Sequence, residues 1–250
     1  MPTVDLGDGR DHDLRPRRPF PAGRRARTRV RGLVRRGRAW AGDYTYILRE
    51  QRAGLADPAV PTHYDQGDRA PVILIAGIME PWTLLRPAAD RLHRAGHPIH
   101  VVEELAYNLD TIAAASALIA GSIRERDLRH VVLLAHSKGG LVGKHVLAHD
   151  DDGRVDRLIA IATPFGGSSL ARYLPLASVR ALRPTDATIV GLSAEAAVNR
   201  RIVSVYPSFD PHIPDGSHLD GATNVELPVM GHFRILGDPQ VLAVVVAAAE

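Results

Sequence analysis

The 250-residue chain contains no cysteine. That excludes disulfides, thiolate nucleophiles and cysteine-built zinc or iron–sulfur sites. No apolar run reaches the length of a membrane-spanning helix, and the N-terminus lacks the apolar core of a secretory signal. Arg17-Arg18-Pro19-Phe20 superficially matches a twin-arginine signal, but Pro21-Ala22-Gly23-Arg24-Arg25 follows where an apolar stretch is needed. The expectation is therefore a cytoplasmic protein, with room for peripheral contact at a membrane. There is no internal repeat of fixed period. Gly143-Lys144 is not a P-loop, because the upstream glycine spacing is wrong and no Ser or Thr follows the lysine.

What is present is an ordinary globular composition, 45% hydrophobic and 24% charged, in a chain long enough for one large domain. The formal net charge is only +3, but arginines crowd the first fifty residues. The basic character thus belongs to one segment. Residues 1–38 are expected to be a basic, disordered leader, and residues 39–250 a single domain. Within the leader, residues 24–38 alternate arginine with Val30, Leu33 and Val34. This run suits a solvated leader, or a weak contact with an anionic membrane surface; no specific nucleic acid is expected. Trp40, Tyr44, Ile47 and Leu48 fall at i, i+4, i+7 and i+8, which predicts a helix packed on the domain through that face.

From Val72 the chain alternates short apolar strands with amphipathic helices. Strands are predicted at residues 72–76, 99–102, 131–135, 158–162, 202–206 and 224–227, and helices at 84–95, 109–126, 141–149 and 239–249. Pro239 suits the first turn of the closing helix. Continuous apolar strands between helices imply an α/β fold, a mostly parallel, doubly wound sheet of about six strands covered on both faces. Residues 170–201, between the fourth and fifth strands, are a candidate cap with room for one or two short helices.

One stretch organises the rest. Val131 to Leu141 reads V-V-L-L-A-H-S-K-G-G-L, a buried strand turning into a helix around Ser137. This is the pattern of a nucleophile elbow, G-x-S-x-G, with Ala135 in the leading position. A serine hydroxyl needs a histidine base, and the histidine needs a carboxylate to hold its tautomer. In a doubly wound hydrolase these follow later strands in the order Ser, acid, His. Asp210 sits at the exit of the fifth strand, and His232 follows Gly231 beyond the sixth. His212 and His218 come too early for the base, and Asp215, Asp220 and Glu226 are the alternative acids. For the oxyanion, one donor is the backbone N–H of Lys138. The other comes from the loop Ala76-Gly77-Ile78-Met79-Glu80-Pro81-Trp82, with Ile78 the best choice. His145 and His149 stand at i, i+4 on a helix, but no glutamate follows in zincin fashion, so no metal site is expected.

These residues resemble a known family. The elbow A-H-S-K-G-G, the run A-T-P-F-G-G-S-S (Ala162 to Ser169) and the run D-G-A-T-N-V-E-L-P-V-M-G-H (Asp220 to His232) are similar to small bacterial lipases and esterases of the α/β-hydrolase superfamily with a minimal cap. The resemblance covers roughly Pro71 to the end. It implies Ser137, Asp210 and His232 as the triad and Ile78 and Lys138 as oxyanion donors. It also implies hydrolysis of a small-molecule ester or lipid without a cofactor. Met79, Trp82, Phe165 and Leu174 are candidates for the substrate pocket. The chain departs from the family pattern twice. Ala76-Gly77 stands where His-Gly is usual, and Lys138 where Met or Gln is usual. The Lys138 side chain is read either as reaching solvent or as favouring anionic substrates. The rival functions are an acyltransferase or amidase using the same triad, and a non-catalytic binding protein on the same fold.

Overall fold

A computed structural model describes the backbone of residues 22–173 and 176–250, and the side chains within that range from residue 36 on, apart from that of Ala177. Residues 1–21 of the expected leader, the side chains of residues 24–35, and Leu174 lie outside the described residues. Residues 36–250 form one compact unit. The first helix, α1 (Ala22–Ala56), runs through the expected leader boundary at residue 38. Among the described residues, no helix is long and apolar enough to cross a membrane.

Among the described residues, six strands form one sheet: β1 (Val72–Ile75), β2 (Ile99–Val101), β3 (Val131–His136), β4 (Val155–Ile161), β5 (Ile202–Phe209) and β6 (Thr223–Met230). Their order is β2-β1-β3-β4-β5-β6, and every pairing is parallel. Strand residues alternate between two apolar layers. Leu74, Val132, Leu134, Ile159 and Val205 face a layer closed by α2 (Arg86–Arg94), by α7 (Pro239–Ala249) and by Ile47 of α1. Ile73, Ile75, Leu133, Leu158 and Ile202 face the other layer, closed by α3 (Ile112–Glu125) and α4 (Lys138–Ala148). Burial on both sides is what drives the near-continuous apolar strands. Two short helices, α5 (Ala177–Arg180) and α6 (Ala187–Ala194), occupy the expected cap segment. Leu182 of that segment is buried in the core, whereas Leu176 is exposed.

The chain leaves β1 toward β2 on one side, then returns to place β3 and all later strands on the other. The switch point between β1 and β3 opens a crevice at their C-terminal ends, the place where ligands bind in such sheets. The loop after β1 and the turn after β3 meet there.

Two expectations need correction. The helix after β3 begins at Lys138, not Leu141. Gly139 and Gly140 both lie in its first turn, because the helix enters almost in contact with the sheet. A Cβ on Gly139 would drive into the Ile75 carbonyl, and one on Gly140 into Thr163 Oγ1. The second correction concerns α1. Its buried face carries Ala39, Asp43, Ile47 and Gly54, while Trp40, Tyr44 and Leu48 are exposed at 51%, 39% and 52%. The seated face is rotated by about one residue, because a polar residue, Asp43, holds the middle of it. An apolar-periodicity reading selects the wrong stripe when the buried contact is a carboxylate.

Gly139→Ala is expected to lower stability by about 1–3 kcal/mol, the usual cost of overpacking, because the obstructing atom is backbone. Urea unfolding of the variant against wild type measures it.

Candidate active site

Ser137 follows the last residue of β3 and precedes α4. Its backbone lies at φ 52, ψ −123, a conformation that costs on the order of 1–3 kcal/mol for a residue with a Cβ. Its N–H donates to the Ile161 carbonyl (2.9 Å), and its carbonyl accepts from Gly140 N–H (3.0 Å). These bonds and the two glycines hold the turn and aim Oγ across the crevice. The serine is 5% exposed.

His232 lies two residues beyond β6 and is 3% exposed. Its Nε2 is 3.0 Å from Ser137 Oγ, and its Nδ1 is 2.7 Å from Asp210 Oδ2. Asp210 follows the last residue of β5, just past an irregularity in the β5–β6 register. Its other oxygen, Oδ1, accepts from the N–H groups of His212 (2.8 Å) and Ile213 (3.0 Å). The carboxylate is thus pinned by a local turn while its free oxygen meets the imidazole. Nδ1–H donates to Asp210, which leaves Nε2 to accept the serine proton. Burial by itself pushes the His232 imidazolium down, but the Asp210 charge and hydrogen bond, with Glu80 and Asp43 behind them, outweigh it and raise the group above 6.5. Burial likewise pushes the Asp210 carboxyl up. The charge and hydrogen bond of His232, with the two backbone donors, more than reverse that and hold it below its ordinary value.

On the other side of the crevice, the loop after β1 is fixed by Glu80, whose Oε2 accepts from Gly77 N–H (2.8 Å). The N–H groups of Ile78 and Lys138 have no protein acceptor among the described residues. The two sequence-chosen donors therefore remain free.

Compared by sequence, the chain matches no protein-family model and no curated protein. By structure it is similar to Aspergillus fumigatus lipase B, with TM-score 0.59 and 18% identity over 75% of this chain and 54% of that one. It thus spans little more than half the length of that lipase. It is also similar to mature Bacillus licheniformis lipase BlEst2, with TM-score 0.55 and 16% identity over 74% of this chain and 96% of that one. The enol-lactonase from Burkholderia xenovorans LB400 gives TM-score 0.54 and 14% identity, over 73% and 92% respectively. The fold is that of the α/β-hydrolases.

Within the α/β-hydrolase fold, several side chains differ from expectation. Lys138 does not reach solvent. It is 1% exposed, and its Nζ donates to the backbone carbonyls of Asn108 (2.7 Å) and Asp110. Burial lowers the amine to about 8, although Asp110 opposes the shift. Asn108 in turn donates from Nδ2 to the Ala76 carbonyl (2.8 Å), and Met79 N–H donates to the Tyr107 carbonyl (2.8 Å). Lys138 therefore ties the β2–α3 loop down onto the loop after β1. A methylene stem with one terminal cation suits this task, since its three donors can serve carbonyls at different angles. Among the pocket candidates, Met79 is exposed, Phe165 is buried in the core beside α4, and Trp82 is half-buried with Nε1 donating to the Pro58 carbonyl.

Sequence reasoning missed three residues behind the triad. Glu80 and His136 form a buried pair, with Nδ1 2.7 Å from Glu80 Oε2. His136 Nε2 donates to the His232 carbonyl (3.0 Å). One pair thus links the loop after β1 to the His232 loop. The third residue is Asp43 of α1, which is fully buried and accepts from His232 N–H. The only sequence signal for it is an Asp in mid-helix, where its propensity is poor. Two groups, Glu80 with His136 and His232, and Asp210 with His212 and His232, bring metal-ligand atoms within 4.8 Å. Both require His232, whose nitrogens are already committed to Asp210 and Ser137. His145 and His149 stack at 4.3 Å, but their Nδ1 atoms bond Ser116 Oγ and the His145 carbonyl.

Two outcomes are expected. His232 followed by NMR titrates above 6.5 in wild type, and Asp210→Asn lowers the midpoint; the neutral, base-competent form therefore accumulates only as pH rises through that higher value. Lys138→Met leaves the Asn108 and Asp110 carbonyls without their donor, costs about 1–3 kcal/mol, and speeds hydrogen exchange at the Met79 amide.

Proposed function

We propose that the chain is a serine hydrolase that cleaves carboxylic esters bearing an apolar acyl group. The observation that carries this reading is the unbroken chain of hydrogen bonds from Asp210 through His232 to Ser137, ending at a serine held on a strained elbow. Strain of this kind persists where the surrounding structure over-determines it, and it concentrates at functional sites.

Ser137 Oγ attacks the ester carbonyl while His232 Nε2 takes its proton. The oxyanion of the tetrahedral intermediate faces the N–H groups of Ile78 and Lys138. Preorganised donors of this type are worth about 3–4 kcal/mol each in transition-state stabilisation. His232 then returns the proton to the leaving alcohol, and an acyl-Ser137 ester remains. Water then attacks the acyl carbon as His232 Nε2 takes its proton; the acyl–Oγ bond breaks, His232 returns that proton to Ser137 Oγ, and the acid leaves. Asp210 keeps Nδ1–H in place and stabilises the imidazolium at each step.

The lipases among the similar structures favour an ester with an apolar acyl group. A cavity of about 440 Å³ lies beside Pro81 and Trp82, but its lining includes Thr83 and Glu103 and none of Ser137, His232, Ile78 and Lys138, so it does not identify the acyl site. Lys138 lends no preference for anionic esters, because both carbonyls it serves belong to the protein.

A series of p-nitrophenyl esters of increasing acyl length tests the proposal. Wild type is expected to release nitrophenolate, with kcat/KM rising from acetate to medium chains. Ser137→Ala is expected to lose at least about 10³-fold in kcat. Turnover that survives in the folded Ser137→Ala variant would contradict the assignment.

A further inference from the structure

His232 sits in a tight loop between β6 and the short helical turn Arg234–Gly237. No strand holds its backbone, so something else must. Asp43 meets it from α1, 189 residues earlier in the chain. Asp43 Oδ2 accepts from His232 N–H (2.9 Å), and Oδ1 accepts from Phe233 N–H (2.8 Å) and Arg234 N–H (2.9 Å). Three successive N–H groups opening a helical turn are unpaired donors by construction. Here one carboxylate from another element satisfies all three.

The fit leaves no slack. Asp43 is 0% exposed. Gly231 has φ +116, and a Cβ there would meet Asp43 Oδ1 at 2.5 Å. Next along α1, Tyr44 Oη lies 3.1 Å from His212 Nε2, and the His212 ring lies 5.0 Å from that of His232. The opposite side of the His232 peptide is held by His136. The histidine backbone is thus gripped at its N–H by Asp43 and at its C=O by His136.

We propose that Asp43 is a positioning residue for the catalytic histidine, so that seating of α1 on the His232 loop is a condition for a competent triad. The inference rests on the serine-hydrolase reading for its effect on rate, but not for its effect on His232 itself. The titratable groups facing His232 are Asp210, Glu80, Asp43, His136 and His212, besides Ser137. Asp43 is the one contributed by α1, and its negative charge favours the imidazolium. A purely structural strut would alter stability and leave the labelling rate of the folded protein where it was.

The test uses the full chain and the isosteric variant Asp43→Asn. Its amide keeps the volume but turns an N–H₂ toward one of the three backbone donors and removes the charge. The expected result is a fluorophosphonate labelling rate at Ser137 reduced about 10- to 100-fold, the usual cost of a small misplacement. The His232 titration read by NMR is expected to move down in pH, and kcat for an ester to fall with KM little changed. Leu48→Ala, on the exposed face of the same helix, is expected to match wild type. Should Asp43→Asn not fold, Gly231→Ala carries the test: its new Cβ presses on the carboxylate, so labelling slows while the charge stays. A folded Asp43→Asn with wild-type labelling and an unmoved His232 titration overturns the proposal, as does a folded Gly231→Ala that labels at the wild-type rate. If wild type itself does not label, the hydrolase reading falls, and the His232 titration alone decides the role of Asp43.

Discussion

The placement of His232 is the constraint on which the rest of this structure depends. A serine and a carboxylate can each be fixed by the end of a strand. His232 must reach both from a loop, and its ring must present one nitrogen to each partner. Here the ring meets Asp210 and Ser137 at 2.7 and 3.0 Å, while its peptide is held from both ends by Asp43 and His136. A misplacement of about 1 Å at such a ring costs roughly 100-fold in rate. Two buried side chains from distant elements, α1 and β3, hold the backbone on either side of that ring.

Those supports also connect the two halves of the crevice. Glu80 bonds both Gly77 N–H, in the oxyanion loop, and His136, which reaches the His232 carbonyl. Lys138 ties the neighbouring β2–α3 loop to the same region from the first turn of α4. Burying such groups is costly unless each is partnered, and each has its partner. The loop after β1 is held by Glu80 at the Gly77 N–H and by Asn108 at the Ala76 carbonyl, and Lys138 anchors the Asn108 backbone in turn.

The fold was legible because its signals are local. Short apolar strands between helices announce a parallel sheet, and all six strands lie within a few residues of their predicted positions. Ser137, Asp210 and His232 stand out in the sequence because each follows a strand in a fixed order, and the structure places His232 within hydrogen-bonding distance of the other two. What stayed hidden were contacts between residues far apart in sequence. Asp43 lies 189 residues from His232, and Glu80 lies 56 from His136. No periodicity marks a buried carboxylate on a helix, and the apolar stripe of Trp40, Tyr44 and Leu48 pointed to the wrong face. Lys138 was misread for a related reason. A lysine is expected at the surface unless its partners are known, and its partners are backbone carbonyls that no residue type identifies.

The central claim is that Ser137 carries the acyl group during turnover. Rapid quenching of the enzyme with a p-nitrophenyl ester, followed by peptide mass spectrometry, tests it most directly. The account predicts the acyl mass on the peptide containing Ser137, at a level that rises when Asp210→Asn slows deacylation more than acylation. Turnover with no acyl group on Ser137, or with the acyl group on another residue, would contradict it.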